Sequence, residues 1–191
     1  MFSIIDTNNV LLLNQLANSS NIWRDLSLFL SSYLIYFIPL VPIISIFMTK
    51  NSVERSNQAR VFVWAMTAII FSLAVGYLFE GAIGRNRPYL ALSEIQPIGH
   101  IPGNTSFPSM HSLIVFAFAL TYVLKEKYFQ MGLFLFLLAL LVATGRMLCR
   151  LHYPTDLIGG FVIGTFSALI LAHEGSPFFK WLGKRVVNSE Q

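Results

Sequence analysis

Residues 145–156, GRMLCRLHYPTD, place two arginines, a histidine and an aspartate directly after a long run of Leu, Phe, Ala and Val. Asp156 follows His152 by four residues, and a carboxylate so placed can accept a hydrogen bond from one ring nitrogen. That fixes the tautomer and leaves the other nitrogen free to attack an electrophile. Arg146, six residues before His152, can reach the same pocket, whereas Arg150 suits either a second phosphate or a lipid headgroup. Two more polar clusters interrupt the apolar sequence: EGAIGRNRPY at 80–89, carrying Glu80, Arg85 and Arg87, and NTSFPSMHS at 104–112. In the second, Pro108 suits the first turn of a helix. Ser109, Met110 and His111 would then lie at a helix N-terminus, where free N–H groups and the dipole favour an anion. The basic residues of these clusters are all arginines, whose planar fork pairs bidentately with phosphate or carboxylate. Taken singly, each is equally an interfacial anchor with a snorkelling side chain; three clusters on one face are not explained that way.

The elements that must position these groups are membrane helices. The 191 residues are 55% hydrophobic and 12% charged, about half the charge of a soluble domain. Apolar stretches cover 26–48, 61–83, 109–124, 131–149 and 157–173. Spanning helices need about 17–25 residues, so the short third and fifth stretches are each expected to extend by a turn into the adjoining motif. Pro39 and Pro42 are expected to kink the first span. Gly160 and Gly164 put two small residues on one face of the last, suited to close packing. Residues 1–22 mix Leu and Ile with Asn and Gln, as in an amphipathic helix lying at an interface. The expected fold is therefore all-α: a single membrane-embedded domain over 1–191, a bundle of about five transmembrane helices with that interfacial helix, and a cytoplasmic tail at 174–191.

Charge sets the orientation. Lys50, Arg55, Arg60, Lys125, Lys127, Lys180, Lys184 and Arg185 fall on one side, which the positive-inside rule makes cytoplasmic; the three clusters then face out of the cytoplasm. A net charge of +4 without a long basic run argues against a nucleic-acid partner. Cys149 is the only cysteine, so no intramolecular disulfide forms. His100 reads as a loop histidine and His173 as a helix-end cation without a catalytic part.

Arg87-Pro88, then Pro108-Ser109-Met110-His111, then Arg146-x5-His152-x3-Asp156 resembles the three-part signature of the type-two phosphatidic acid phosphatase superfamily, the membrane lipid phosphate phosphatases. The order of the motifs matches, as does the spacing within the third. The resemblance implies a hydrolase in which His152 attacks the terminal phosphorus to form a phosphohistidine, oriented by Asp156. His111 would protonate the leaving oxygen and then activate water, while Arg87, Arg146 and the N–H groups near Ser109 hold the phosphoryl oxygens. No metal and no cofactor is implied. The partners are the bilayer and a lipid substrate, either a polyprenyl diphosphate or a phospholipid phosphate.

Three positions depart from the family. Glu80 stands where a lysine is common, leaving Arg85 to supply the missing charge or Glu80 to pair with an arginine. Met110 replaces a glycine and Gly145 a serine. Loss of the lysine, the short chain and the FPSxH motif are similar to the bacterial branch acting on undecaprenyl diphosphate. This implies an active site on the periplasmic face of the plasma membrane. Phosphatidylglycerophosphate or phosphatidate hydrolysis, lipid phosphotransfer, and a small transporter or lipid-binding scaffold are the alternatives.

Overall fold

The computed structural model describes residues 4–93, 95–100 and 103–172; the expected cytoplasmic tail, His173 and its basic residues lie outside them. The helices are α1 (Ile4–Asn18), α2 (Asn21–Leu28), α3 (Leu34–Phe37), α4 (Leu40–Met48), α5 (Ser52–Ile83), α6 (Pro88–Ala91), α7 (Met110–Val123), α8 (Phe129–Leu148) and α9 (Pro154–Ala172). Extended pairing among the described residues is limited to one isolated bridge between Asn86 and Thr105. Four helical stretches are long and apolar enough to cross a membrane: Asn21–Met48, Ser52–Ile83, Glu126–Leu148 and Pro154–Leu171. With α7 between them they form a polytopic all-α bundle.

The first crossing is broken twice. Pro39 precedes α4, where the kink was expected, and Pro42 sits in the first turn of α4, where a missing N–H costs little. The second break, a π-helical turn at Phe29–Tyr33, has no proline to announce it. The fifth stretch extends by a turn as expected, since α9 starts at Pro154. The third does not. α7 keeps 14 residues, about 21 Å at 1.5 Å per residue. It is short because it is the core of the bundle rather than its lipid-facing wall: nine of those residues are buried.

Lipid offers helices little hydrophobic incentive to associate, so small residues must let backbones approach. α5 presents Val61, Ala65, Ala68, Ser72 and Gly76 inward. A Cβ on Gly76 would lie 2.6 Å from Leu113 Cδ2 and 3.1 Å from Met110 Sδ. From the other side, a Cβ on Gly160 would come within 2.7 Å of the Ser109 carbonyl, and one on Gly164 within 2.7 Å of that of Leu113. The paired glycines therefore do pack α9 onto α7. Outward, Leu137, Leu141, Ile158, Val162 and Phe166 are exposed, the surface a bilayer would cover.

Two ends result. At one, Glu54 takes hydrogen bonds from Lys127 and, at 3.0 Å, Tyr128 Oη, and Lys125 stands 4.0 Å over the Trp64 ring. At the other, all three polar clusters meet. α1 lies across that second end with Asp6, Val10 and Ala17 buried and Leu12 and Leu16 exposed, the two-faced pattern expected of it.

A proline at position 154 predicts that the preceding helix, α8, ends at about Arg150 or Leu151, and the structure differs. Pro154 does not terminate this helix; it occupies the first position of α9. α8 stops at Leu148 through a Schellman closure, with Leu151 N bonded to Arg146 O at 3.2 Å and Arg150 N to Met147 O at 2.8 Å. The left-handed residue such a closure needs is Arg150, at φ 63°, which disfavours a side chain by roughly 1–2 kcal/mol. Its guanidinium holds the turn in place by donating to Gln96 O and, at 2.7 Å, to Asn18 Oδ1. Arg150 is thus turned inward at 3% exposure rather than offered to a headgroup.

Candidate active site

The 84–109 connection is zipped to itself. Ser106 N donates to Arg85 O at 2.7 Å and Arg87 N to Asn104 O at 3.2 Å. Gly84 ends α5 in the left-handed region at φ 57°, a turn that suits a residue without Cβ. This zipper presents Arg87 and the Ser106 carbonyl to the short loop between α8 and α9, where His152 sits at 2% exposure.

His152 is held from both ring nitrogens. Its Nδ1 lies 2.8 Å from Ser106 O and its Nε2 3.0 Å from Arg87 Nη1. A carbonyl can only accept and a guanidinium can only donate. The ring is therefore neutral, with its proton on Nδ1 and its lone pair on Nε2. Burial, more than any other influence, pushes the His152 pKa down to about 4, against a partial upward pull from Asp156. The folded value lies below the ordinary 6.5, so the unfolded chain binds a proton that the folded site refuses. Stability from this group is complete above about pH 6.5 and is lost as pH falls toward about 4. Thermal unfolding followed between pH 7 and 4 should show that decline, and His152→Gln should flatten it.

Asp156 is fully buried, and its two oxygens are otherwise occupied. Oδ1 accepts from Arg85 Nη1 at 2.8 Å and Oδ2 from Tyr153 N at 2.8 Å. Its distance to His152 Nδ1 is 3.7 Å, beyond a hydrogen bond. The expected orienting contact is therefore made by the Ser106 carbonyl, with Asp156 one step further out. Arg85 is likewise placed differently from expectation. It bridges Asp156 and Asp6, and stacks 4.0 Å over the Tyr153 ring, so two carboxylates, not a phosphate, take its charge. Glu80 accepts a hydrogen bond from Thr105 rather than from an arginine.

The remaining groups converge from the helices. Arg87 Nε donates to Gly103 O at 2.6 Å and Nη1 to Leu151 O at 2.8 Å. Arg146, 4% exposed, donates from Nη1 to the hydroxyl and carbonyl of Ser31 at 3.3 and 3.5 Å, and among the described residues its Nε has no hydrogen-bond partner. Among the described residues neither arginine has a carboxylate within ion-pair distance. His111, half-buried on the first turn of α7, is electrostatically coupled to Arg146, His152 and Arg87. Ser109 caps α7, accepting from Ser112 N, with Pro108 just before it rather than inside the first turn. The Ser109 N–H donates to Asp156 O at 3.0 Å; this leaves the N–H groups of Met110 and His111 at the helix start. The Met110 side chain turns away, onto Gly76 of α5. His100 is exposed in its loop, as its turn-rich surroundings suggest.

Ser31 is not singled out in the sequence, and Ser106 reads there only as part of a helix start. Ser106 acts through its carbonyl, which carries no residue-type signature. Ser31 had one weak signal, a serine pair inside an apolar span. Its position depends on Gly145, where an added Cβ would lie 2.5 Å from Ser31 N and 2.7 Å from the Leu30 carbonyl carbon. The π-helical turn and α8 therefore touch backbone to backbone. Installing the family's usual serine, Gly145→Ser, should cost about 1–3 kcal/mol by overpacking, visible as a lower midpoint of thermal unfolding in detergent.

Among the described residues no group of three or more His, Cys, Asp or Glu side chains is placed to hold a metal ion. The sequence profile of the PAP2 superfamily matches residues 61–177. Escherichia coli YbjG, a candidate undecaprenyl-diphosphatase, is 25% identical over 83% of this chain and 76% of its own length. The undecaprenyl-diphosphatase of Sulfolobus acidocaldarius is 23% identical over 89% of this chain and 74% of its own length. The crystal structure of Aquifex aeolicus LpxE superposes with a TM-score of 0.61 at 20% identity, covering 88% of this chain and 98% of that one, a likeness of fold.

Proposed function

The chain belongs to the PAP2 superfamily and is a membrane lipid phosphatase; on that premise we propose that it hydrolyses a polyprenyl diphosphate, undecaprenyl diphosphate foremost, on the extracytoplasmic face of the plasma membrane. One observation carries the reading of the site. Among the described residues two buried arginines lack a carboxylate partner: Arg87, whose Nη1 lies 3.0 Å from the unprotonated Nε2 of His152, and Arg146, close enough to act on His152 electrostatically. Buried cations are costly unless paired, and a phosphoryl group supplies the missing anion.

In the proposed cycle the Nε2 lone pair attacks the terminal phosphorus, and the bond from that phosphorus to the bridging oxygen breaks. His111 gives its proton to the departing lipid monophosphate. It then takes a proton from water as that water attacks the phosphohistidine, releasing phosphate and restoring His152. Arg87, Arg146 and the free N–H groups at the start of α7 hold the equatorial oxygens as charge shifts among them. Asp156 supplies the nearest negative charge once the imidazole becomes cationic. The two arginines already provide the positive charge that a metal would contribute, so no step of the cycle calls for one. The diphosphate preference is supported by the relatives' names and by the glutamate at position 80. A lysine is the family's common residue there, and its absence sets this chain apart from branches that retain it.

The purified protein should release phosphate from undecaprenyl diphosphate faster than from phosphatidate or phosphatidylglycerophosphate, with the rate unchanged by a chelator. Preference for either phospholipid would replace the substrate assignment, and strict dependence on a divalent ion would replace the chemistry. The orientation is supported by the basic residues gathered at the opposite end of the bundle.

A further inference from the structure

The first 22 residues contain a single charged side chain, Asp6. A charge on an amphipathic helix that only rests on a membrane belongs on its wet face. Asp6 is instead 2% exposed, on the inward stripe of α1 with Val10 and Ala17. It lies against the first turn of α9: Oδ1 accepts from Thr155 N at 3.3 Å and Oδ2 from Thr155 Oγ1 at 2.8 Å. A carboxylate from another helix thus does the work of an N-cap, meeting an orphan N–H and the positive end of α9. The same Oδ2 takes Arg85 Nη2 at 2.7 Å. The other terminal nitrogen of Arg85 reaches Asp156 Oδ1 at 2.8 Å and Thr155 Oγ1 at 2.6 Å. Although burial opposes ionisation, the hydrogen bonds from Arg85 and Thr155 hold the Asp6 carboxyl below its ordinary value, so it is an anion at neutral pH.

We propose that Asp6 is a positioning residue for the phosphate chemistry: through Arg85 and Thr155, α1 sets the place and the effective charge of Asp156 beside His152. Arg85 is one cation between two carboxylates. With Asp6 ionised its charge is shared, and Asp156 keeps net negative potential toward an imidazole that turns cationic when Nε2 takes the phosphoryl group. Without Asp6, Arg85 would neutralise Asp156 alone, and its guanidinium would lose the anchor that aims Nη1 at Oδ1. The capping of α9 would loosen at the same time, one residue from Asp156. This inference rests on the reading of His152 as nucleophile. It assigns the N-terminal helix a part in turnover, where membrane attachment alone would give it none.

The test compares wild type, Asp6→Asn, Asp6→Glu and His152→Ala. Each is assayed on a short water-soluble isoprenyl diphosphate in detergent and on undecaprenyl diphosphate in phosphatidylglycerol-containing vesicles. Asp6→Asn is close to isosteric and keeps an acceptor for Thr155. It should lower kcat about tenfold on both substrates with KM little changed, the size expected from one charge-assisted hydrogen bond felt at the reacting group. Asp6→Glu restores the charge and should recover part of that loss. An unchanged kcat on the soluble substrate, with KM raised only in vesicles, would make α1 a membrane anchor and overturn the proposal. If Asp6→Asn fails to fold, as judged by gel filtration and thermal unfolding, Asp6→Glu decides alone: a reduced kcat at constant KM supports positioning, and wild-type kcat overturns it. Activity retained by His152→Ala would instead remove the underlying reading, whatever the Asp6 variants show.

Discussion

His152→Ala is expected to lower phosphate release by at least about 10,000-fold, the scale on which a covalent nucleophile is missed when the rest of its site survives. The geometry makes the prediction specific. Ser106 O fixes the proton on Nδ1 and Arg87 marks the face on which Nε2 carries its lone pair. No other imidazole among the described residues is held from both sides in this way. The alanine variant should still insert and give a cooperative unfolding transition, because the ring's contacts are with a carbonyl and a guanidinium rather than with the apolar core. Quenching in acid and alkali separates the reading further. Wild type mixed with labelled substrate should yield an acid-labile, alkali-stable protein-bound phosphate, and His152→Ala none. Turnover retained in the variant would remove the nucleophile assignment.

Arg87→Ala is expected to reduce kcat/KM about 1000-fold, the upper end for losing one preorganised donor to a developing anion. The upper end applies because Arg87 does three things at once. It lies 3.0 Å from His152 Nε2, ties the loop at Leu151 O, and closes the 103–106 segment at Gly103 O. Arg87→Lys keeps the charge but loses the planar fork, and should recover less than about a tenth of the lost rate. Steady-state kinetics checks both, with thermal unfolding to separate a displaced loop from a missing ligand. An effect confined to KM would mean that Arg87 binds the ground state only.

The motif residues were legible because their chemistry demands particular types. An arginine beside proline, a histidine at a helix start, and His and Asp four apart after a buried arginine have few innocent explanations together in an apolar chain. The number of membrane elements was legible too, since hydropathy must satisfy lipid along every span. Boundaries were less so. No glycine follows α8, and the left-handed residue that closes it is an arginine held by Asn18 and Gln96, partners more than fifty residues away in sequence. The π-helical turn at Phe29–Tyr33 packs backbone to backbone against Gly145, a contact that the local sequence of neither segment declares.

Sequence alone thus marked which side chains carry groups suited to the chemistry and that they fall at the end of the bundle opposite the basic loops. Hydropathy and charge act locally, on each span and its flanks, so a single chain suffices to read them. Only the tertiary structure decided what each charge faces. It assigned Arg85 to Asp6 and Asp156, moved the orienting contact on His152 to a backbone carbonyl, and turned Arg150 inward. Among the described residues it also left Arg87 and Arg146 without a carboxylate within ion-pair distance. Those outcomes depend on distances between residues 46 to 132 positions apart, and a buried charge is resolved by whichever partner packing brings within about 3 Å.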